Sequence, residues 1–245
     1  MNKKGINMKV KRLKMALTIL TVTVLLSCAS NPAVKIDQVP MYGGMDRSAN
    51  PRLAEGDKQF IEQVIKEYGN KRTASEKFVD QGFRFYHGNN MSNAMKRFNQ
   101  AWLLDDSNPE VYHGFASVLL NHEKDCEALT MMNKAVGLDW GGRWINRSGF
   151  YTDLGFITAM CAGYGSDMTA DKKQSMALES EQWFNKAKAD ESVNGQYLYD
   201  KWWKALYHMR NYSRAWEKIA EMKAYGGTPD SDMLPYLIKQ MPQPD

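Results

Sequence analysis

Side chains able to do chemistry are few and scattered. The four histidines are His87, His113, His122 and His208, and the three cysteines are Cys28, Cys126 and Cys161. No histidine lies in a His-Glu-x-x-His sequence or at ligand spacing from a second His, Cys or Asp, so no metal site is expected. Neither a Gly-x-Ser-x-Gly nucleophile turn nor a phosphate-binding Gly-rich loop occurs. A nucleophile, a base and an orienting group can still converge from distant positions. With no site motif, the expectation is a chain without catalytic residues, metal or cofactor.

Charge narrows the partners. The 245 residues are 43% hydrophobic and 24% charged, enough for one sizeable domain or two small ones. The formal charge of +4 is misleading, because residues 1–27 hold Lys3, Lys4, Lys9, Lys11, Arg12 and Lys14 and no acid. Removing those six from the 32 basic residues leaves 26 against 28 acidic, a net charge near −2. A nucleic-acid partner would need a basic face, and none is expected.

Those first residues have three parts. A basic stretch, 3–14, is followed by a 12-residue apolar run from Met15 to Leu26, and then by Leu25-Leu26-Ser27-Cys28. A spanning helix needs about 20 apolar residues, so the run reads as an export signal. Small Ser27 before Cys28 resembles the bacterial lipobox. That resemblance implies a signal peptide over 1–27, cleavage after Ser27 and lipidation of Cys28. One acyl chain anchors only marginally, at about 0.8 kcal/mol per buried CH₂; the two or three chains of this family imply a stable anchor. Ala29 and Ser30 follow, with no Asp to retain the protein in an inner membrane. The implied location is the periplasmic face of the outer membrane.

Residues 28–50 hold Asn31-Pro32, Val39-Pro40, Gly43-Gly44 and Asn50-Pro51, and read as a lipidated flexible tether. Met41-Tyr42-Gly43-Gly44-Met45-Asp46-Arg47 is unusual for a tether, since Met and Tyr favour burial, and docking of this patch on the domain is the alternative. Phe60, Val64, Ile65 and Tyr68 then mark a helix over 51–69, with Gly69 as its stop.

The most informative pattern is an offset of 34 residues. It relates Gly82 to Ala116, Ala94 to Ala128, Phe98 to Met132, Ala101 to Ala135, Leu104 to Leu138 and Asp105 to Asp139. The pattern resembles the tetratricopeptide repeat, where small residues let paired helices approach. Thr73-x-x-Glu76 and Ser107-x-x-Glu110 read as capping boxes. The implied fold is all-α, a tetratricopeptide-like solenoid of about four helix-turn-helix repeats with flanking helices. The repeats fall over 75–226: 75–108, 109–142, about 148–194 and about 196–227, with 228–245 as a capping segment. The third carries Gly155 and Ser180-Phe184-Ala187, with about 13 residues inserted near 163–175. The fourth has Trp203 at a small-residue position, which predicts a distorted helix pair. Trp202 and Trp203 adjoin, about 100° apart on a helix, so one is expected in the core and the other at the edge or groove.

By this resemblance the first helix of each repeat lines a concave groove. Carried over, Glu76, Val79, Phe83, Tyr86 and His87 face it from the first repeat, and Glu110, His113, Ser117, Leu120 and Asn121 from the second. Thr152, Phe156 and Ala159 follow from the third, and Tyr197, Asp200, Lys204, Tyr207 and His208 from the fourth. A partner-binding groove is expected at Phe83, Tyr86, His87, His113, Ser117, Asn121, Phe156, Lys204, Tyr207 and His208, with aromatic packing between helices as the plainer alternative. The repeat frame also puts Cys126 and Cys161 at one rim, where a disulfide or two buried thiols are both open.

The implied function is a lipid-anchored scaffold holding an envelope protein or peptide. Assembly of a pilus or secretion system, or inhibition of a toxic periplasmic enzyme, are the alternatives. A Cys28→Ser chain should stay unprocessed or soluble, and cell fractionation should find it lost from the membranes.

Overall fold

The computed structural model describes residues 35–138 and 143–244. The signal peptide, Cys28 with the start of the tether, and Asp139 lie outside the described residues. Those described are all-helical, with ten α-helices and no strands. They are α1 (Pro51–Tyr68), α2 (Lys71–His87), α3 (Met91–Leu104), α4 (Pro109–Asn121), α5 (Asp125–Val136), α6 (Arg147–Tyr164), α7 (Ala170–Lys188), α8 (Gly195–His208), α9 (Tyr212–Ala224) and α10 (Leu234–Gln240). No described helix is long and apolar enough to cross a membrane.

Helices α2–α3, α4–α5, α6–α7 and α8–α9 pack as four hairpins, each against the next. Three of them turn alike. Asn89, Glu123 and Arg210 take left-handed φ of 56°, 59° and 61°. The next residue's amide then donates back to a carbonyl in the first helix: Asn90 to Phe85, Lys124 to Leu119, and Asn211 to Leu206. This satisfies helix-end carbonyls that would otherwise lack partners. Further copies of local geometry recur: Ser75 Oγ donates to the Ala101 carbonyl, and Ser148 Oγ to that of Ala187.

Asparagine starts most of these helices. Asn50, Asn70, Asn90, Asn108, Asn146 and Asn194 each accept a backbone N–H of the first turn, an interaction worth about 1 kcal/mol. The two expected capping boxes do not form. Helix α2 begins at Lys71, upstream of Thr73, and α4 is capped by Asn108 instead of Ser107. Glu110 is then free for other work, described below.

Close approach within the first two hairpins depends on one wedge. The fully buried Phe98 ring lies where a Cβ on Gly82 or Gly114 would fall, at 2.4 Å and 2.3 Å from it. Gly82 lies on α2, Gly114 on α4 and Phe98 on α3, so three helices close on one ring. Phe83 and Phe115 meet its edges at 5.1 Å and 6.4 Å.

The residues inserted in the third hairpin lengthen its helices: α6 and α7 have 18 and 19 residues against 13 and 12 for α4 and α5, leaving only 165–169 between them. Longer helices satisfy their own backbone hydrogen bonds. Three expectations need correction. Helix α8 runs unbroken past Trp203, and both Trp202 and Trp203 are buried. Neighbours surround α8: the Trp202 ring stacks on Phe184 at 5.0 Å, and α6, α7 and α9 all pack on it.

The tether is the third. Residues 35–50 are no free linker, because they fold as short 3-10 turns against α3 and α1. Buried Asn99 receives the Tyr42 amide on Oδ1 (3.0 Å) and donates Nδ2 to the carbonyls of Asp37 and Val39. Tyr42 is buried beneath the Arg47 guanidinium, 4.1 Å from its ring, and Arg47 forms a two-pronged pair with Asp57. Burial pushes the Tyr42 phenol up to about 12.

Cys126 and Cys161 are joined in a disulfide, their Cα atoms 4.7 Å apart. It ties the start of α5 to the end of α6 across a separation of 35 residues, worth about 3–4 kcal/mol on the chain-entropy account. The glycine geometry sets a two-sided test. Gly114→Ala should destabilise the fold by about 1 kcal/mol or more, because overpacking (about 1–3 kcal/mol) outweighs the helix-propensity gain of about 1 kcal/mol. Gly56→Ala in α1, whose Cβ would meet nothing within 4 Å, should stabilise it by about 0.5–1 kcal/mol. Urea unfolding of the two variants checks both signs.

Candidate functional site

The first helices of all four hairpins share one face, and a cavity of about 240 Å³ opens on it. Each helix delivers side chains by helical spacing. Phe83, Tyr86 and His87 come from α2, His113, Ser117 and Leu120 from α4, Asp153 and Ile157 from α6, and Tyr197 and Lys201 from α8. Positions three or four apart on a helix lie on one side of it, so each set points the same way.

The cavity sits where two apolar cores meet. One core runs from Val64 to Met176 through the first two hairpins and into α6 and α7, and the other from Phe156 to Leu237 through the last two. A polar bridge spans the junction. Asp153 Oδ2 accepts from His113 Nε2 at 3.0 Å, and Asp153 Oδ1 accepts a short bond from the Tyr197 hydroxyl. An ionised carboxylate only accepts, so His113 must carry its proton on Nε2 here. Burial pushes the Asp153 carboxyl upward. The bond from His113, the charge of Lys201 and the bond from Tyr197 outweigh it, and hold the group below the ordinary carboxylate range. Burial and the neighbouring Asp153 charge drive the Tyr197 phenol well above its usual value. Burial likewise raises Tyr86.

A hook from the α5–α6 connection closes one side. The amides of Arg143 and Trp144 both donate to Glu110 Oε1, and the Arg143 guanidinium pairs with Glu110 and Asp80. The Trp144 indole N–H donates to Asp80 at 2.8 Å, and its ring lies 5.0 Å from that of Phe83. Glu110, freed from capping, thus receives two backbone donors and one charge at a helix start. Phe83 is enclosed by rings, with Phe98, His113 and Trp144 all within 5.6 Å.

Of the ten expected groove residues, Phe83, Tyr86, His87, His113 and Ser117 line this cavity. The other five lie elsewhere. Asn121 is exposed at the end of α4. Phe156 is buried in the second core beneath Lys201. Lys204 is held by Asp200 and Asp230, each at 2.9 Å. His208 accepts or donates at 2.6 Å with the Tyr164 hydroxyl, and Tyr207 packs on Tyr212 and His208. Burial lowers the His208 pKa. His113 itself is almost wholly buried, a bracing residue more than a contact surface. Sequence reasoning missed Trp144, Asp153 and Lys201. Lys201 had a signal, one turn after Tyr197 on α8; Trp144 and Asp153 had none, because contacts across 64 and 40 residues bring them in. No cluster of His, Cys, Asp and Glu able to hold a metal occurs among the described residues.

The chain matches no family of known proteins, no curated protein and no solved structure. Its function is therefore read from this geometry.

The depressed Asp153 pKa gives a sign. Its contribution to stability is fully present above the ordinary carboxylate value of 3.8 and is lost as pH falls through the lower folded value. Asp153→Asn should lower the melting temperature at pH 7, since one donor of the bridge meets an amide N–H in place of an acceptor. The difference between parent and variant should shrink as pH is taken below 3.8. Thermal unfolding of both proteins across that range checks it.

Proposed function

We propose that this chain is a lipid-anchored interaction scaffold of the bacterial envelope, tetratricopeptide-like in build, which holds a protein or peptide on the face made by α2, α4, α6 and α8. The observation that carries the reading is the cavity where the four hairpins meet. Its lining combines aromatic and aliphatic side chains, it lies on the face the repeat frame expects to be the groove, and a polar bridge preorganises it. Aromatic side chains with little charge to desolvate suit protein recognition. The repeat likeness is supported by the turns at Asn89 and Glu123, which fall 34 residues apart in the chain and share one backbone geometry.

Export is supported by the lipobox-like Ser27-Cys28, and the Cys126–Cys161 disulfide suits an oxidising compartment. Outer-membrane attachment facing the periplasm follows as part of the same proposal.

A photoreactive residue at Tyr86, on the proposed face, should give a discrete adduct in cells of the source organism. One at exposed Gln182 on α7 should not. Tyr86→Ala with His87→Ala should cut native crosslinking from Lys201 several-fold while the melting temperature changes little, since neither residue is in the fully buried core. Equal adducts at both positions would defeat the reading.

A further inference from the structure

We infer that the cavity between α2, α4, α6 and α8 receives one tyrosine side chain of an extended partner segment, its ring against Phe83 and Trp144 and its phenol oxygen accepting from Lys201. This rests on the peptide-binding reading above and names what that site recognises.

Size comes first. At about 240 Å³ the cavity is smaller than the roughly 300–1,000 Å³ that drug-sized ligands occupy. It suits a single side chain and excludes a folded element. Its apolar lining combines Leu120, Ile145 and Ile157 with a cluster of rings, in which Phe83 meets Tyr86 edge-on at 6.4 Å and Trp144 at 5.0 Å, tilted by 34°. Ring faces and edges in this arrangement reward another aromatic ring over an aliphatic chain.

The polar inventory then chooses among aromatics. The one carboxylate on the wall has both oxygens engaged, Oδ1 by Tyr197 and Oδ2 by His113. The Ser117 hydroxyl spends its proton on the His113 carbonyl. Lys201 is different. Among the described residues it has no carboxylate within 4 Å, and its ammonium rests 4.6 Å from the Phe156 ring and 5.8 Å from that of Tyr197. Among the described residues its three N–H donors make no hydrogen bond. The missing element is therefore an acceptor brought by the ligand.

A phenylalanine ring brings none, and would cover the half-buried ammonium without replacing its water. A tryptophan brings an N–H donor toward a donor. An aspartate or glutamate brings acceptors but leaves the rings uncovered, and sets a second negative charge beside Asp153. Among phenylalanine, tyrosine and tryptophan, tyrosine alone combines the ring with an uncharged acceptor.

The test uses the full-length chain purified in detergent and a displayed library of random decapeptides. Selected binders should share a recurrent tyrosine. By calorimetry, Tyr→Phe in a selected peptide should weaken binding about tenfold or more, the usual effect of losing a hydrogen bond to a charged group. On a Lys201→Met protein the Tyr and Phe peptides should bind within about twofold of each other, while Lys201→Arg should keep the preference. Circular dichroism verifies that each variant folds. Binders that depend on Tyr86 and His87 but lack a common tyrosine, or a Tyr/Phe preference that survives Lys201→Met, would overturn this inference and leave peptide binding standing. A library yielding no binder, or only binders indifferent to Tyr86→Ala with His87→Ala, would overturn both.

Discussion

A carboxylate taken out of water needs hydrogen bonds and opposite charge, or it will protonate. Asp153 meets that requirement from two directions, with His113 of α4 on one oxygen and Tyr197 of α8 on the other. Three helices from three hairpins are thereby held in one register. Apolar packing could have joined the two cores without such a constraint, because it is non-directional. A polar bridge instead fixes distances, and it leaves open beside it the space that becomes the cavity. The arrangement of rings and donors around that space follows from this one buried charge.

Around the bridge, the chain is braced at places where hairpin stacking alone would be weak. The disulfide joins hairpins two and three at one end of their helices. The Arg143–Trp144 hook joins them to hairpin one at the other end, through Glu110 and Asp80. In the last hairpin Lys218 is buried beside the Trp202 ring and pairs with Glu221, which burial would raise but which Lys218, Tyr199 and Lys188 hold at about 2. The disulfide and the hook cross between hairpins and limit sliding between them, whereas Lys218 ties α9 to α8 within the last hairpin.

The segment 35–50 has a comparable role at the chain's other end. An asparagine with no exposed surface, Asn99, uses its side chain as a miniature strand partner, accepting one amide and donating to two carbonyls. It supplies the backbone partners that an irregular segment cannot supply for itself. Tyr42 and the Arg47–Asp57 pair then close over it. What composition presents as a flexible linker is in this half part of the folded body.

The sequence by itself determined the helical character, the span of α1, the 34-residue spacing of the first two hairpins and the small residues that permit their close approach. These are local or periodic properties, set by side-chain spacing and by the volume of Gly and Ala against Phe98. It also named Phe83, Tyr86, His87, His113 and Ser117 as neighbours, because they share register positions on successive helices. The fate of Asn121, Phe156, Lys204, Tyr207 and His208 was not legible in this way, since position in a repeat does not say which partner a side chain will find. Only the tertiary structure decided that Asn residues cap where Ser and Thr were expected to, that Glu110 grips a connecting segment, and that Asp153, Lys201 and Trp144 belong to the cavity. Those outcomes depend on competition among groups far apart in the chain, and burial, which settles that competition, exists only once the hairpins have packed.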